Sequence, residues 1–425
     1  MKSREQLINN LNNKNVRKRL KNLKKIKKLE KKDASLIPKP REFDANNHIH
    51  TFYSFSPYSP TQAVFKAYNC GLITMGIIDH DSVGGVREFI KAAEIAGCKC
   101  TVGFEVRVKL KVKGFEGRTI NNPDQADCAY FTVHGIPHQN IDKAKEFLAA
   151  ITAERNIRNR LMVDKINKSF GAYGIAVSYD EVVNLSMLKE GGSVTERHIL
   201  FALSKKIANV KGRGEKVLEF IKELNIRVSE TVAARLKDVN NIFYEYDLLG
   251  VLKSDARFFY IDADKELVTL ERLVEFCKEI GAITAYAYLG DIETSVTGDK
   301  RSQKFEDGFL EPLLIQLKES GVNAVAYMPT RNTEAQLKRL QALCAKYGFF
   351  EISGEDINSP RQRFECDKLK EEMFLKLTDS TYALIGHEKT ATENIEEGMF
   401  SESIINKFPD INERVKLFAE IGKSK

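Results

Sequence analysis

His48 and His50 stand two residues apart in Asn47-His48-Ile49-His50-Thr51. On an extended strand, residues i and i+2 project from one face, so both imidazoles can address a single point. A short apolar run at 73–78 ends directly in Asp79, His80 and Asp81. In a third run Val102, Phe104, Val106 and Val108 alternate, which leaves Glu105 on the opposite face. A fourth run, at 129–134, ends in His134, with His138 just beyond. Alone, a histidine at a strand end is more often a satisfied polar residue than a ligand. Here four of the seven histidines lie between 48 and 134, among Asp79, Asp81 and Glu105. Imidazoles and carboxylates delivered at successive strand ends are the donor set of a divalent metal site. The mixture suits Mn, Fe or Zn better than Mg alone.

These side chains need elements to place them. After Asp81, Gly84 and Gly85 turn the chain into a helix whose Val86, Phe89, Ile90 and Ala93 share a face, and Gly97 stops it. Strand, polar tip, helix, strand is the repeat of a β/α barrel, where chemistry collects at the C-terminal strand ends. From about 141 to 247 the pattern becomes helical, with Leu148, Ile151, Met162, Ile166, Leu200 and Leu203 on a 3.6-residue period. Strands return at 282–288, 322–327 and 349–353, separated by helical stretches, and the last one delivers Ser353-Gly354-Glu355-Asp356. The chain thus divides into a basic helical arm and linker (1–40), a first barrel part (41–140), a helical insertion (141–250), and a second barrel part with C-terminal helices (251–425).

The net charge of +7 is local: residues 1–32 carry 13 Lys or Arg against Glu5 and Glu30, a net of +11, leaving −4 for the rest. In that segment Leu7, Leu11, Val16, Leu20, Leu23, Ile26 and Leu29 recur as on an amphipathic helix. It reads either as a helix packing its leucines on the body or as a nucleic-acid contact; without interleaved aromatic residues the first is favoured. Seven cysteines without a Cys-x-x-Cys pair suit a reducing compartment, and the absence of a long apolar run or secretory signal points to the cytoplasm. No Gly-x-Ser-x-Gly elbow is present, and Gly212-Arg213-Gly214 is too little for a dinucleotide loop.

The motifs HIHT, IIDHDS and VGFE, in that order, resemble the opening motifs of the PHP superfamily (polymerase and histidinol phosphatase), in particular its stand-alone phosphoesterase branch. The resemblance implies a distorted (β/α)7 TIM-like barrel with an inserted helical cap. It also implies metal ligation by His48, His50, His80, Glu105, His134 and Asp356. Thr195-Glu196-Arg197-His198 is similar to the family element that reaches the substrate phosphate, which gives Arg197 and His198 phosphate-binding and catalytic roles.

Three places where the family carries ligands hold Phe55, Tyr286 and Asn358, so one or two ions are expected and a third is doubtful. Tyr286 and Arg361 are the residues expected to compensate at the phosphate. The implied activity is metal-dependent hydrolysis of phosphate esters such as nucleotides or oligonucleotide ends. The alternatives are a binding module with one retained ion, or a nucleic-acid-binding protein using its basic arm.

Overall fold

The computed structural model describes residues 3–292 and 303–424. Eight strands form one sheet: β1 (Arg41–Ile49), β2 (Leu72–His80), β3 (Lys99–Lys109), β4 (Cys128–His134), β5 (Val268–Thr269), β6 (Ile283–Ala287), β7 (Ala324–Tyr327) and β8 (Phe350–Ser353). Seven follow the path β1-β2-β3-β4-β6-β7-β8, and the two-residue β5 lies against the end of β3. His50 N–H donates to the Ile357 carbonyl at 3.0 Å and Ile357 N–H to the His48 carbonyl at 3.1 Å, so the sheet nearly closes into a barrel. One strand departs from the expected repeat: β4 runs antiparallel to both neighbours. Its connection from β3 contains no helix, and without a crossover the chain can only return in the reverse direction.

Helices α1 (Arg4–Asn9), α2 (Val16–Glu30), α3 (Pro60–Asn69) and α4 (Val86–Ala96) cover one flank. The basic segment is two helices rather than one, broken at 13–15, with Val16 partly exposed and Leu7, Leu11, Leu23 and Ile26 buried in the barrel's own hydrophobic cluster. Arg19 lies fully inside, paired with Glu88 of α4.

The insertion comprises α5 (Ile141–Phe170), α6 (Tyr179–Leu185), α7 (Glu196–Lys211), α8 (Glu215–Glu223), α9 (Glu230–Lys237) and α10 (Tyr244–Lys253). Its apolar faces enclose a second core containing Met162, Phe170, Ile199, Phe220, Leu236 and Leu248. Between this cap and the barrel sits a buried ionic cluster. Glu196, the first residue of α7, takes Arg155 Nη2 at 2.7 Å and Arg107 Nη1 at 3.1 Å, and also pairs with Arg158. Arg158 Nε reaches Glu266 at 2.7 Å, Arg107 pairs with the same glutamate, and Arg155 pairs with Asp81. Three guanidiniums thus meet three carboxylates out of contact with water.

The barrel resumes with α11 (Leu270–Ile280), α12 (Leu310–Glu319) and α13 (Glu334–Tyr347) outside, followed by α14 (Lys376–Glu393), α15 (Glu402–Lys407) and α16 (Ile411–Lys423). The interior face carries Glu105, Thr132, Ala285, Ala324 and Phe350, partners in register across the sheet. Ala383 and Leu384 of α14 and Phe418 of α16 pack against the lower part of that face, and α14 also caps the Val102 N–H through Glu388 at 2.8 Å. The two helices cross closely: a Cβ on Gly386 would lie 1.9 Å from the Phe418 carbonyl oxygen.

Also on α14, buried His387 accepts the Met399 N–H at 3.0 Å through Nδ1. Burial pulls its pKa down to about 4, so the folded state excludes a proton that the unfolded chain binds near its ordinary value of 6.5. Its contribution to stability is complete above 6.5 and is lost as the pH falls towards 4, at about 1.4 kcal/mol per unit. Urea melts should therefore show the gap between wild type and His387→Asn shrinking by about 2 kcal/mol between pH 7 and pH 5. A gap independent of pH would mean that the folded imidazole takes up its proton as readily as the unfolded one.

Candidate metal centre

At the β1 end, His48 and His50 both face inward, their Nε2 atoms 3.2 Å apart. His80 at the tip of β2 stacks on His50 with ring centroids 4.5 Å apart. Glu105, inward on β3, offers Oε2 to three imidazoles: 2.9 Å from His80 Nδ1, 3.7 Å from His50 Nε2 and 3.8 Å from His48 Nε2. Asp356, past β8, brings Oδ1 to 3.2 Å from His50 Nε2. Two triads result, His48-His50-Asp356 and His50-His80-Glu105, each with donor atoms within 4.8 Å of one another.

The surroundings prepare these donors. Ser54 Oγ donates to Asp79 Oδ1 at 2.7 Å and lies 3.3 Å from His50 Nδ1. The hydroxyl has then only a lone pair for His50, which favours the proton on Nδ1 and leaves the Nε2 lone pair facing the centre. Asp79 is wholly engaged in this support, accepting also from the Thr51 N–H and hydroxyl, and burial raises its pKa to about 6. Burial would lower His48, but Glu105 and Asp356 more than offset it and hold it above the usual imidazole value. Burial, with His80 nearby, takes His50 down to about 4. Burial opposes charge on Glu105 and Asp356 as well, yet the adjacent imidazoles, with Arg197 for Asp356, keep both far below the carboxylate range. Ionised acids facing imidazole nitrogens fit a divalent cation, whose binding would displace the proton that the acids hold on His48.

His134 is placed differently. On the antiparallel β4 it lies below the level of Glu105, inward, with Nε2 2.9 Å from Thr132 Oγ1. Its Nδ1 is buried and unpartnered, and burial lowers its pKa to about 3. It belongs to neither triad. A neutral, orphaned imidazole nitrogen lining the same cavity fits a further ligand better than a core histidine, which would find a partner.

Three residues anticipated at the substrate face elsewhere. Tyr286 is fully buried on the outer face of β6, where it donates to Glu306 Oε1 at 2.9 Å and packs on Phe131. The inward strand-end position belongs to Ala287, which cannot ligate. His198 is buried beneath the cap, its Nδ1 accepting the Thr195 N–H at 3.0 Å as part of the α7 cap, against Phe55. Burial lowers its pKa to about 3, so it has no proton to give near neutrality. Arg361 gives its fork to Asp247 of α10, at 2.7 and 2.6 Å, and thereby ties the loop after β8 to the cap.

Phe55, with φ of 128°, sits in the cap core against Phe201 and Tyr246. Asn358 donates to Asp356 Oδ1 at 2.7 Å, and its own amide oxygen is unpartnered.

Arg197 lines the cavity of about 430 Å³ above the centre and, among the described residues, has no hydrogen-bond or ion-pair partner. Arg331, in the turn after β7, lines the same space with Nε anchored to the Leu289 carbonyl at 2.9 Å; its Nη groups have no partner among the described residues. Lys253 joins them at the rim. Arg331 was not picked out from sequence, although its place just past a barrel strand is the signal that finds such residues.

Residues 46–181 match the PHP domain model. A curated 5′-3′ exoribonuclease from Haemophilus influenzae is 28% identical over 155 residues, covering 36% of this chain and 47% of the relative, so the match spans about half of that protein's length. Among solved structures, an amidohydrolase from Chromobacterium violaceum, determined with bound sulfate and no metal, superposes with a TM-score of 0.50 at 17% identity, covering 75% of this chain and 88% of its own. A Bifidobacterium adolescentis protein, described provisionally as a metal-dependent phosphoesterase, gives 0.51 at 16% identity, covering 78% and 95%. The shared fold and the histidines and carboxylates gathered at the barrel mouth agree with the match of residues 46–181 to the PHP domain.

Proposed function

We propose that the protein is a metal-dependent phosphoesterase acting on nucleotides or oligonucleotide ends. The observation that carries this reading is Arg197, a guanidinium with no hydrogen-bond or ion-pair partner among the described residues, which lines one cavity with a cluster of metal-competent donors. His48, His50, His80, Glu105, His134 and Asp356 would hold one or two divalent ions. When bound, such ions activate water at neutral pH and polarise a phosphoryl oxygen.

The chain's own part is positioning and charge. Arg197 presents a planar fork of donors suited to two phosphoryl oxygens, and Arg331 adds a second cation to the lining of the same cavity. Both lie where negative charge grows as the ester bond breaks. Ser54 and Asp79 keep His50 in the ligating tautomer throughout. With His198 neutral and buried, the leaving oxygen would take its proton from solvent or from a group on the cavity wall, not from that imidazole.

The non-ligating residues at Phe55 and Ala287 support a second reading, a binding module with one retained ion. Protein loaded with Mn²⁺ should hydrolyse p-nitrophenyl phosphate, AMP and short 5′-phosphorylated oligonucleotides, lose that activity in EDTA, and contain two ions by elemental analysis. Arg197→Ala should lower kcat/KM about 10–100-fold, as expected for charge-assisted bonds worth about 1.5–3 kcal/mol. One ion without turnover on any of these esters would favour the binding module.

A further inference from the structure

We propose that the outer face of α2 is a ridge that binds the phosphate backbone of single-stranded nucleic acid. Arg17, Lys21, Lys24, Lys28 and Lys31 follow one another at intervals of three or four residues, all exposed. They form a row with a cation roughly every 4.5–6 Å along the helix axis. Among the described residues none of the five has a carboxylate partner. The acids of the neighbourhood are taken by cations off the ridge: Glu30 by Lys27 and Glu88 by Arg19. No folding role in the structure uses this charge, and such a row repels itself until a polyanion neutralises it.

The helix geometry selects the partner. Leu23 and Ile26 are fully buried against the barrel flank, so α2 has no apolar side to insert into a bilayer. The outer face carries no aromatic side chain for stacking, so contact would be to phosphates and indifferent to base sequence. The short turn that precedes α2 is fixed to the segment following His48 and His50, where Asn12 donates to the Pro57 carbonyl at 2.7 Å and Ser59 Oγ to the Leu11 carbonyl at 2.6 Å. This inference stands apart from the phosphoesterase reading, because binding requires no turnover.

The test is fluorescence anisotropy of a labelled oligouridine of about 20 nucleotides with the full chain in EDTA, between about 50 and 200 mM salt. Wild type should bind with a slope of log K against log salt near −3, since each neutralised phosphate of a single strand contributes about −0.7. The quadruple variant K21Q/K24Q/K28Q/K31Q should bind at least about tenfold more weakly at the lowest salt and lose most of that slope, with its thermal melt unchanged. Equal affinity and slope in the two proteins would overturn the proposal. So would wild-type protein that ignores the oligonucleotide while binding vesicles of phosphatidylserine and phosphatidylcholine.

Discussion

Glu196→Ala is expected to destabilise the protein by about 3–5 kcal/mol, the range for removing one partner of a buried ion pair and leaving its charge uncompensated. The residue is placed for an effect at the upper end. Its carboxylate answers Arg107 from β3 and both Arg155 and Arg158 from α5. Without it, three buried guanidiniums face only Glu266 and Asp81, a net positive charge in a buried site. The arginines hold Glu196 well below the usual carboxylate range, in opposition to burial, which shows how strongly its ionised form is coupled to them. Glu196 also opens α7, where a negative side chain suits the helix N-terminus. Urea denaturation of Glu196→Ala and Glu196→Gln checks this: the amide keeps an acceptor and should recover part of the loss. A loss below about 1 kcal/mol in both would mean that water reaches the cluster. Because Arg197 is the next residue, the same variants should also raise KM for a phosphate ester.

Glu105→Gln should abolish one bound ion and lower kcat about 10³-fold, roughly 4 kcal/mol of barrier. Among the described residues no other acid at the mouth is shared so widely: one oxygen lies within 3.8 Å of His48, His50 and His80. An amide preserves shape but offers only a neutral oxygen, and it no longer balances the charge of a cation. Elemental analysis and steady-state kinetics on the same preparation decide the matter. Full ion content with unchanged kcat would remove Glu105 from the centre, and with it the reading of the cavity as a metal site.

Much of the scaffold was legible because periodicity reports faces. Alternation in 102–108 placed Glu105 inward, and the helical period over the insertion marked a cap with a core of its own. The motifs brought His48, His50, His80, Glu105 and Asp356 to one mouth, far apart though they are in the chain. What failed was parity and partnership. In Ala285-Tyr286-Ala287 the small residues take the crowded interior and the tyrosine packs outside beneath the helices, so the substrate role assigned to Tyr286 does not stand.

His198 reads as an acid in a motif, but the turn that starts α7 consumes its ring nitrogen. Arg361 and Arg331 look alike in sequence; only tertiary contacts show that the first is committed to Asp247 and the second faces the cavity. The six charges of the buried cluster are indistinguishable in sequence from ordinary surface residues. Pairing over such separations leaves no local pattern. The antiparallel β4 was hidden for a simpler reason, since hydrophobic alternation is the same in either direction along a strand.

The packing of α14 and α16 into the lower barrel has a topological result. The cavity above the donors thus has a floor, and nothing can be threaded along the barrel axis through it. For the phosphoesterase proposed above, a pocket closed from below suits the terminus of a chain better than a segment that would have to run on through the barrel.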